Sequence, residues 1–201
     1  MKVVAFNGSP RESGNTAMLL HAVLEVLRNE GIETELVQLG GRKIRGCTAC
    51  MKCFENRDRH CSVTGDILNG LVDRMVEADG IVIGSPTYFA NVSAEVKALI
   101  DRAGLVAIAN GHMLKRKVGA AVVAVRRAGA TDAFDAINKF FLINQLVVPG
   151  SVYWDMGFGL AEQEVKGDDE GMNTMRILGE NMAWLLKRIG STRDGSRDMT
   201  F

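Results

Sequence analysis

Gly8-Ser9-Pro10-Arg11-Glu12-Ser13-Gly14-Asn15-Thr16 is a run of turn formers, hydroxyls and one guanidinium. It lies between an apolar stretch, Val3 to Phe6, and a helical pattern of Leu19, Leu20, Val23, Leu24 and Leu27. A strand that breaks into a loop and resumes as a helix leaves the first backbone N–H groups of that helix unpaired. The positive end of the helix dipole stands behind them. Ser9, Ser13 and Thr16 add hydroxyls, Asn15 an amide and Arg11 a guanidinium. An ordinary N-cap needs one such side chain, and Ser13 or Asn15 would serve. Five around a single turn describe a pocket for a phosphate group.

A second loop, Gly84-Ser85-Pro86-Thr87-Tyr88-Phe89-Ala90-Asn91, ends another apolar run with two aromatics where nothing requires burial. Pro86 fixes the backbone so that successive peptide groups can face a planar ligand edge-on. Capping of the core by Tyr88 and Phe89 is the plainer alternative. A flat, hydrogen-bonding heteroaromatic ring with one phosphate on its tail fits the two loops together, and FMN has that description. Pro86, Thr87, Tyr88, Phe89 and Asn91 would frame the ring.

All four cysteines, Cys47, Cys50, Cys53 and Cys61, fall in one window with the spacing C-x2-C-x2-C-x7-C. Thiols crowded into one loop argue against a structural disulfide set. The opening C-x2-C-x2-C matches a ferredoxin-type run, so one reading is a [4Fe–4S] cluster. A zinc site is the second, although two separated C-x-x-C pairs are its more usual form. Free or oxidisable thiols are the third. Spacing alone does not choose among them. His60, beside Cys61, is an alternative ligand or a solvated side chain; His21 and His112 carry no partner pattern.

The elements that must position these loops alternate along the chain. Strand-like runs are Val3–Phe6, Ile32–Leu39, Gly80–Gly84, Val118–Val125 and Val147–Trp154. Helical periodicity covers Thr16–Glu30, Asp66–Glu77, Val92–Ala103, Ala133–Leu146 and Gly171–Ile189. Nearly continuous apolar runs such as Ala120–Val125 predict strands buried on both faces, hence a parallel sheet covered by helices. Five β-α units in succession predict a doubly wound α/β domain with its ligand outside the carboxyl ends of the strands. Residues 1–190 are expected to form this domain, and 191–201 a polar, aperiodic tail.

With 24 cationic and 24 acidic residues the formal net charge is zero, and nothing predicts nucleic-acid binding. Lys115-Arg116-Lys117 reads as a solvated helix end. No apolar run approaches the ~18 residues of a membrane span. Met1-Lys2 leads directly into a strand, so a cytoplasmic protein is expected.

These motifs resemble the NADPH-dependent FMN reductase superfamily and, within it, the flavodoxin-like iron–sulfur flavoproteins. The phosphate loop is similar at Gly8-Ser9-Pro10-Arg11 and Gly14-Asn15-Thr16. The ring loop and its helix are similar at Ser85-Pro86-Thr87-Tyr88, Asn91-Val92-Ser93, Lys97 and Ile100-Asp101-Arg102. Likeness continues through Tyr153-Trp154-Asp155-Met156-Gly157 and from Glu170-Gly171 to about Ile189, nearly all the chain except the tail.

The resemblance implies a flavodoxin-like five-stranded sheet of order 2-1-3-4-5 that binds FMN. It also implies a homodimer or tetramer with the helix after Pro86 at the interface. A third loop, Val125-Arg126-Arg127-Ala128-Gly129-Ala130-Thr131, would close over the flavin. The family usually carries two or three glycines there; only Gly129 remains. Arg126 or Arg127 would lie near the flavin's pyrimidine edge, unless both pair with Asp132 and Asp135. The implied activity is electron transfer from NAD(P)H, a transient substrate, through FMN to a second acceptor such as a quinone or free flavin. No second G-x-G-x-x-G fingerprint marks a resident nicotinamide. The rival is an electron-transfer protein whose cysteines hold a [4Fe–4S] cluster fed by a ferredoxin-like partner.

Overall fold

Val3–Phe6, Ile81–Ile83 and Val118–Val125 are apolar without interruption because both faces of their strands are covered. Side chains alternate across a strand, so each run feeds two cores. Val4, Phe6, Ile81, Ile83, Ala121 and Val123 enter one. Val3, Ala5, Val82, Ala120 and Val122 enter the other. The computed structural model describes residues 1–193.

The strands are β1 (Lys2–Asn7), β2 (Glu33–Gln38), β3 (Gly80–Pro86), β4 (Val118–Val125) and β5 (Met156–Phe158). The helices are α1 (Asn15–Asn29), α2 (Lys52–Asn56), α3 (Leu68–Glu77), α4 (Ala94–Ala109), α5 (Ala130–Ile143) and α6 (Asp169–Arg193). A 3-10 turn covers Glu164–Gly167. All paired strands are parallel, in the order β2-β1-β3-β4-β5, the flavodoxin-like winding expected from the sequence. Helices α1 and α6 pack together over one face of the sheet, while α3, α4 and α5 contribute to the core on the other.

The fifth strand lies later than its apolar run suggests. Val147 makes an isolated bridge to Val118, and the chain then leaves the sheet. Pro149 lacks the N–H that a ladder needs. Gly150 and Ser151 are tied to α6 instead: Asn181 Nδ2 donates to Gly150 O at 2.8 Å, and Ser151 Oγ donates to Thr174 O at 2.7 Å. Pairing resumes only at Met156, opposite Val123. Val152, Tyr153 and Trp154 are left exposed.

Lys117 also departs from the solvated reading. It is buried, and its ammonium donates to Val76 O at 2.8 Å and to Ala78 O, at the end of α3. Helix α6 runs to Arg193, so the expected tail begins inside it and otherwise lies outside the described residues. Among the described residues, no helix is long and apolar enough to cross a membrane.

Candidate functional site

The ends of β1, β3, β4 and β5 meet on one cleft. At the carboxyl end of β1 the chain turns at Gly8, whose N–H donates to Gly84 O at 2.8 Å. A Cβ on Gly8 would lie 2.3 Å from Val96 Cγ2 and 2.7 Å from Gly84 O, so no larger residue lets the loop pass this close to β3 and α4. Fully buried Asn7 then shapes the turn, its Oδ1 accepting from Ser9 N at 3.1 Å. Asn7 Nδ2 donates to Gln38 Oε1 at 2.7 Å, and Gln38 Nε2 donates to Ser9 O at 2.7 Å and Gly40 O at 2.9 Å. Ser9 Oγ accepts from Arg11 N at 3.2 Å.

Helix α1 opens at Gly14, which is extended and offers no side-chain cap. The first helical bond runs from Met18 N to Gly14 O. The N–H groups of Asn15, Thr16 and Ala17 therefore lack helical partners, and no acidic side chain stands in this turn. Asn15 directs its amide away from the loop: Nδ2 donates to Ala161 O at 2.9 Å, and Oδ1 accepts from Val165 N at 3.2 Å. This anchors the segment after β5 beside the cleft. Glu164 braces the same segment by accepting from Leu160 N at 2.6 Å and Ala161 N at 2.7 Å, which holds its carboxyl below the usual range.

At the end of β3, Thr87 N donates to Ala124 O at 2.8 Å, while the Thr87 hydroxyl is buried without a partner. Tyr88 and Asn91 exchange backbone bonds of 2.8 and 3.0 Å around Phe89 (φ 48°) and Ala90 (φ 56°). Two left-handed central residues make a type I′ hairpin, a conformation that non-glycine residues hold under strain. Phe89 is fully exposed at its tip. Gly129 (φ 85°) starts α5, and a Cβ there would lie 2.9 Å from Ala90 Cα, so the third loop packs against this hairpin. Buried Ser93 caps α4 by accepting from Val96 N at 3.4 Å.

The resulting cleft measures about 190 Å³. It brings together Ser9, Arg11, Asn15, Thr16, Pro86, Thr87, Tyr88 and Arg126 from the sequence-selected residues. Ser13, Phe89, Asn91, Arg127 and Gly129 do not line it; Ala124, Val125, Gly159 and Leu160 do. Sequence reasoning missed the Asn7–Gln38 pair. Its one signal is an amide closing each of two neighbouring strands.

The cysteine loop forms a second feature. All four cysteines line one cavity with Arg102, with Cys47 and Cys50 exposed and Cys53 buried. Hydrogen bonding from Ser62 holds the Cys50 thiol below its usual pKa, and burial pushes Cys53 up. Ala49, Met51, Arg57 and Arg59 all have positive φ, so the loop is wound tightly. Among the described residues, no three His, Cys, Asp or Glu side chains converge as ligands of one ion. His60 faces outward, its Nε2 2.8 Å from Asp73 Oδ1.

Residues 1–159 match the profile of the family described as NADPH-dependent FMN reductase. The chain belongs to this family. An iron-sulfur flavoprotein of Methanocaldococcus jannaschii is 39% identical over 196 residues, spanning 94% of this chain and 99% of that protein. One from Archaeoglobus fulgidus is 38% identical over 211 residues, spanning 96% and 100%. Among solved structures, RosB with bound 8-demethyl-8-formylriboflavin-5'-phosphate superposes with a TM-score of 0.75 at 20% identity, covering 100% of this chain and 90% of that one. That likeness bears on the fold alone. As a member of an FMN reductase family with a flavodoxin-like sheet, the chain places its cleft at the carboxyl ends of β1, β3, β4 and β5, where such sheets take ligands.

Proposed function

We infer that this member of the family is an FMN-dependent NAD(P)H oxidoreductase that passes electrons to a second acceptor. The observation that carries the reading is the cleft itself. Unpaired α1 N–H groups, the Arg11 side chain and Thr87, whose enclosed hydroxyl has no protein partner, meet around one space at the sheet's carboxyl edge. A buried hydroxyl without a partner costs free energy unless a ligand bonds it. The N–H groups of Asn15 and Thr16, with Ser9 and Arg11, would hold the phosphate. Pro86, Thr87 and Tyr88 would border the ring on one side and Arg126 on another, with Phe89, Asn91 and Gly129 setting the hairpin behind them.

FMN supplies the redox chemistry when bound, accepting a hydride and releasing electrons. The chain's part is to bind, orient and shield: Asn15 holds the Ala161–Val165 segment beside the cleft, and Arg126 places positive charge at its rim. No side-chain acid or base is required.

The cysteine loop supports a second element of the reading, a [4Fe–4S] cluster on Cys47, Cys50, Cys53 and Cys61. A zinc ion needs its donors converged on one point. A cubane takes each thiolate on a different iron, and four thiols around one cavity fit that donor set. Residues 41–60 also carry six exposed cations (Arg42, Lys43, Arg45, Lys52, Arg57, Arg59) against Glu55 and Asp58, in a chain of zero formal charge. Such a patch favours an acidic redox protein, ferredoxin-like in charge, as electron partner.

Anaerobic purification with flavin, iron and acid-labile sulfide assayed on one sample, followed by NADPH and NADH oxidation, tests both elements. The reductase reading expects one FMN per chain and pyridine-nucleotide oxidation. Protein that stays colourless and binds no added FMN refutes it. Flavin with iron and sulfide but negligible nucleotide oxidation favours the electron-transfer role.

A further inference from the structure

Arg102 heads the large side chains that are completely enclosed, an unusual place for a guanidinium. It belongs to α4, the helix that follows the Thr87 hairpin. Its Nη1 donates to Arg45 O at 3.1 Å and Asp66 Oδ2 at 2.5 Å, and its Nη2 donates to Val63 O at 2.7 Å. Arg45 stands just before Cys47, and Val63 just after Cys61. One side chain therefore ties together both ends of the cysteine loop. Asp66 reinforces the knot by accepting from Arg45 N at 3.0 Å.

The guanidinium is not used up by these bonds. Its Nε–H is buried and has no partner. Arg102 also lines the cavity shared by the four cysteines, and the Cys61 sulfur is close enough to interact with it electrostatically. Stability alone explains the arrangement poorly, because a buried ion pair often contributes no more than apolar residues of similar volume. A donor held beside thiolates has a clear chemical use, since hydrogen bonds to sulfur and local charge set the potential of an iron–sulfur centre.

We propose that Arg102 is a positioning and potential-tuning residue for the cysteine loop, closing its base and turning the positive end of the Arg102–Asp66 pair towards the sulfurs. The proposal rests on the cluster reading above. One-electron reduction breaks and forms no bond; it adds one negative charge to the sulfur-bound centre. The Arg102 cation favours that reduced form, and the Asp66 carboxylate behind it tempers the effect. Removing the cation lowers the potential, whereas removing the carboxylate's charge raises it. A residue that merely braced the loop would not give these opposite signs.

The test compares wild type, R102Q and D66N as full chains, loaded with FMN and reconstituted anaerobically with iron and sulfide. Iron, sulfide and FMN affinity are measured first, then the cluster potential by mediated dithionite titration. Neither residue lines the FMN cleft, so unchanged FMN affinity reports an intact fold. The expected result is a potential lowered in R102Q and raised in D66N, each by about a tenfold change in the reduction equilibrium, roughly 59 mV for a one-electron couple. Wild-type potentials in both variants, or shifts of the same sign, overturn the proposal. If R102Q fails to retain FMN, D66N decides alone, and an unchanged or lowered potential there refutes it. Wild-type protein that takes up flavin but no iron overturns the cluster reading and, with it, this one.

Discussion

Asp155 lies just before β5, 3% exposed, with Oδ1 lacking any partner. Its backbone carbonyl accepts from Val123 N at 2.9 Å, which fixes its main chain beside β4. Burial pushes its carboxyl up to about 8. In the unfolded chain an aspartate titrates near ~3.9. Between those values the native chain keeps a proton that the unfolded chain has released, so stability falls as pH rises. One proton corresponds to about 1.4 kcal/mol per pH unit. D155N preserves the shape and removes the titration. Urea unfolding of both proteins at about pH 5, 6 and 7, at fixed protein and FMN concentration, gives the difference in stability directly. It should move by about 1.4 kcal/mol per pH unit in favour of D155N as pH rises. Parallel stability curves for the two proteins would refute the reasoning and show that Asp155 is ionised in the native state.

Three further outcomes concern the cleft. Arg11→Ala should weaken FMN binding by about 1.5–3 kcal/mol, the worth of a charge-assisted hydrogen bond, as read by calorimetric titration. Thr87→Val should cost about 1 kcal/mol of FMN affinity yet leave the apo protein as stable or more so, because its hydroxyl has no protein partner; a lowered apo Tm would contradict this. Gly8→Ala forces a methyl against Val96 and Gly84 O, so stability should drop by about 1–3 kcal/mol, with FMN affinity falling as the loop moves.

Most of the sheet was legible because buried strands announce themselves as unbroken apolar runs. The exception is instructive. The Val147–Trp154 run has strand-like composition, but Pro149 and Gly150 interrupt the ladder, and apolarity says nothing about which backbone pairs with which. Helix α2 and the 3-10 turn at Glu164 are too short to show periodicity. The two main loops stood out because turn formers and ligand-type side chains coincide in them. The residues that brace those loops did not. Asn7 and Gln38 meet only once β1 and β2 are in register. Arg102 and Lys117 look like surface cations until their tertiary partners, Asp66 and the end of α3, enclose them.

Asn15 bonds Val165 across 150 residues of sequence, and this has a consequence for how the chain is made. Synthesis at about 5–20 residues per second separates the two by roughly 8–30 s. Through that interval the loop after β1 exists without the segment that borders its cleft, and β1 waits unpaired on one side until β3 emerges. A nascent chain in this condition exposes strand edges and apolar surface of the kind that chaperones recognise. A cleft that needs both partners of this contact is expected to hold FMN only once Val165 is in place, and a chain cut short before Ala161 should fold its early strands yet hold FMN poorly.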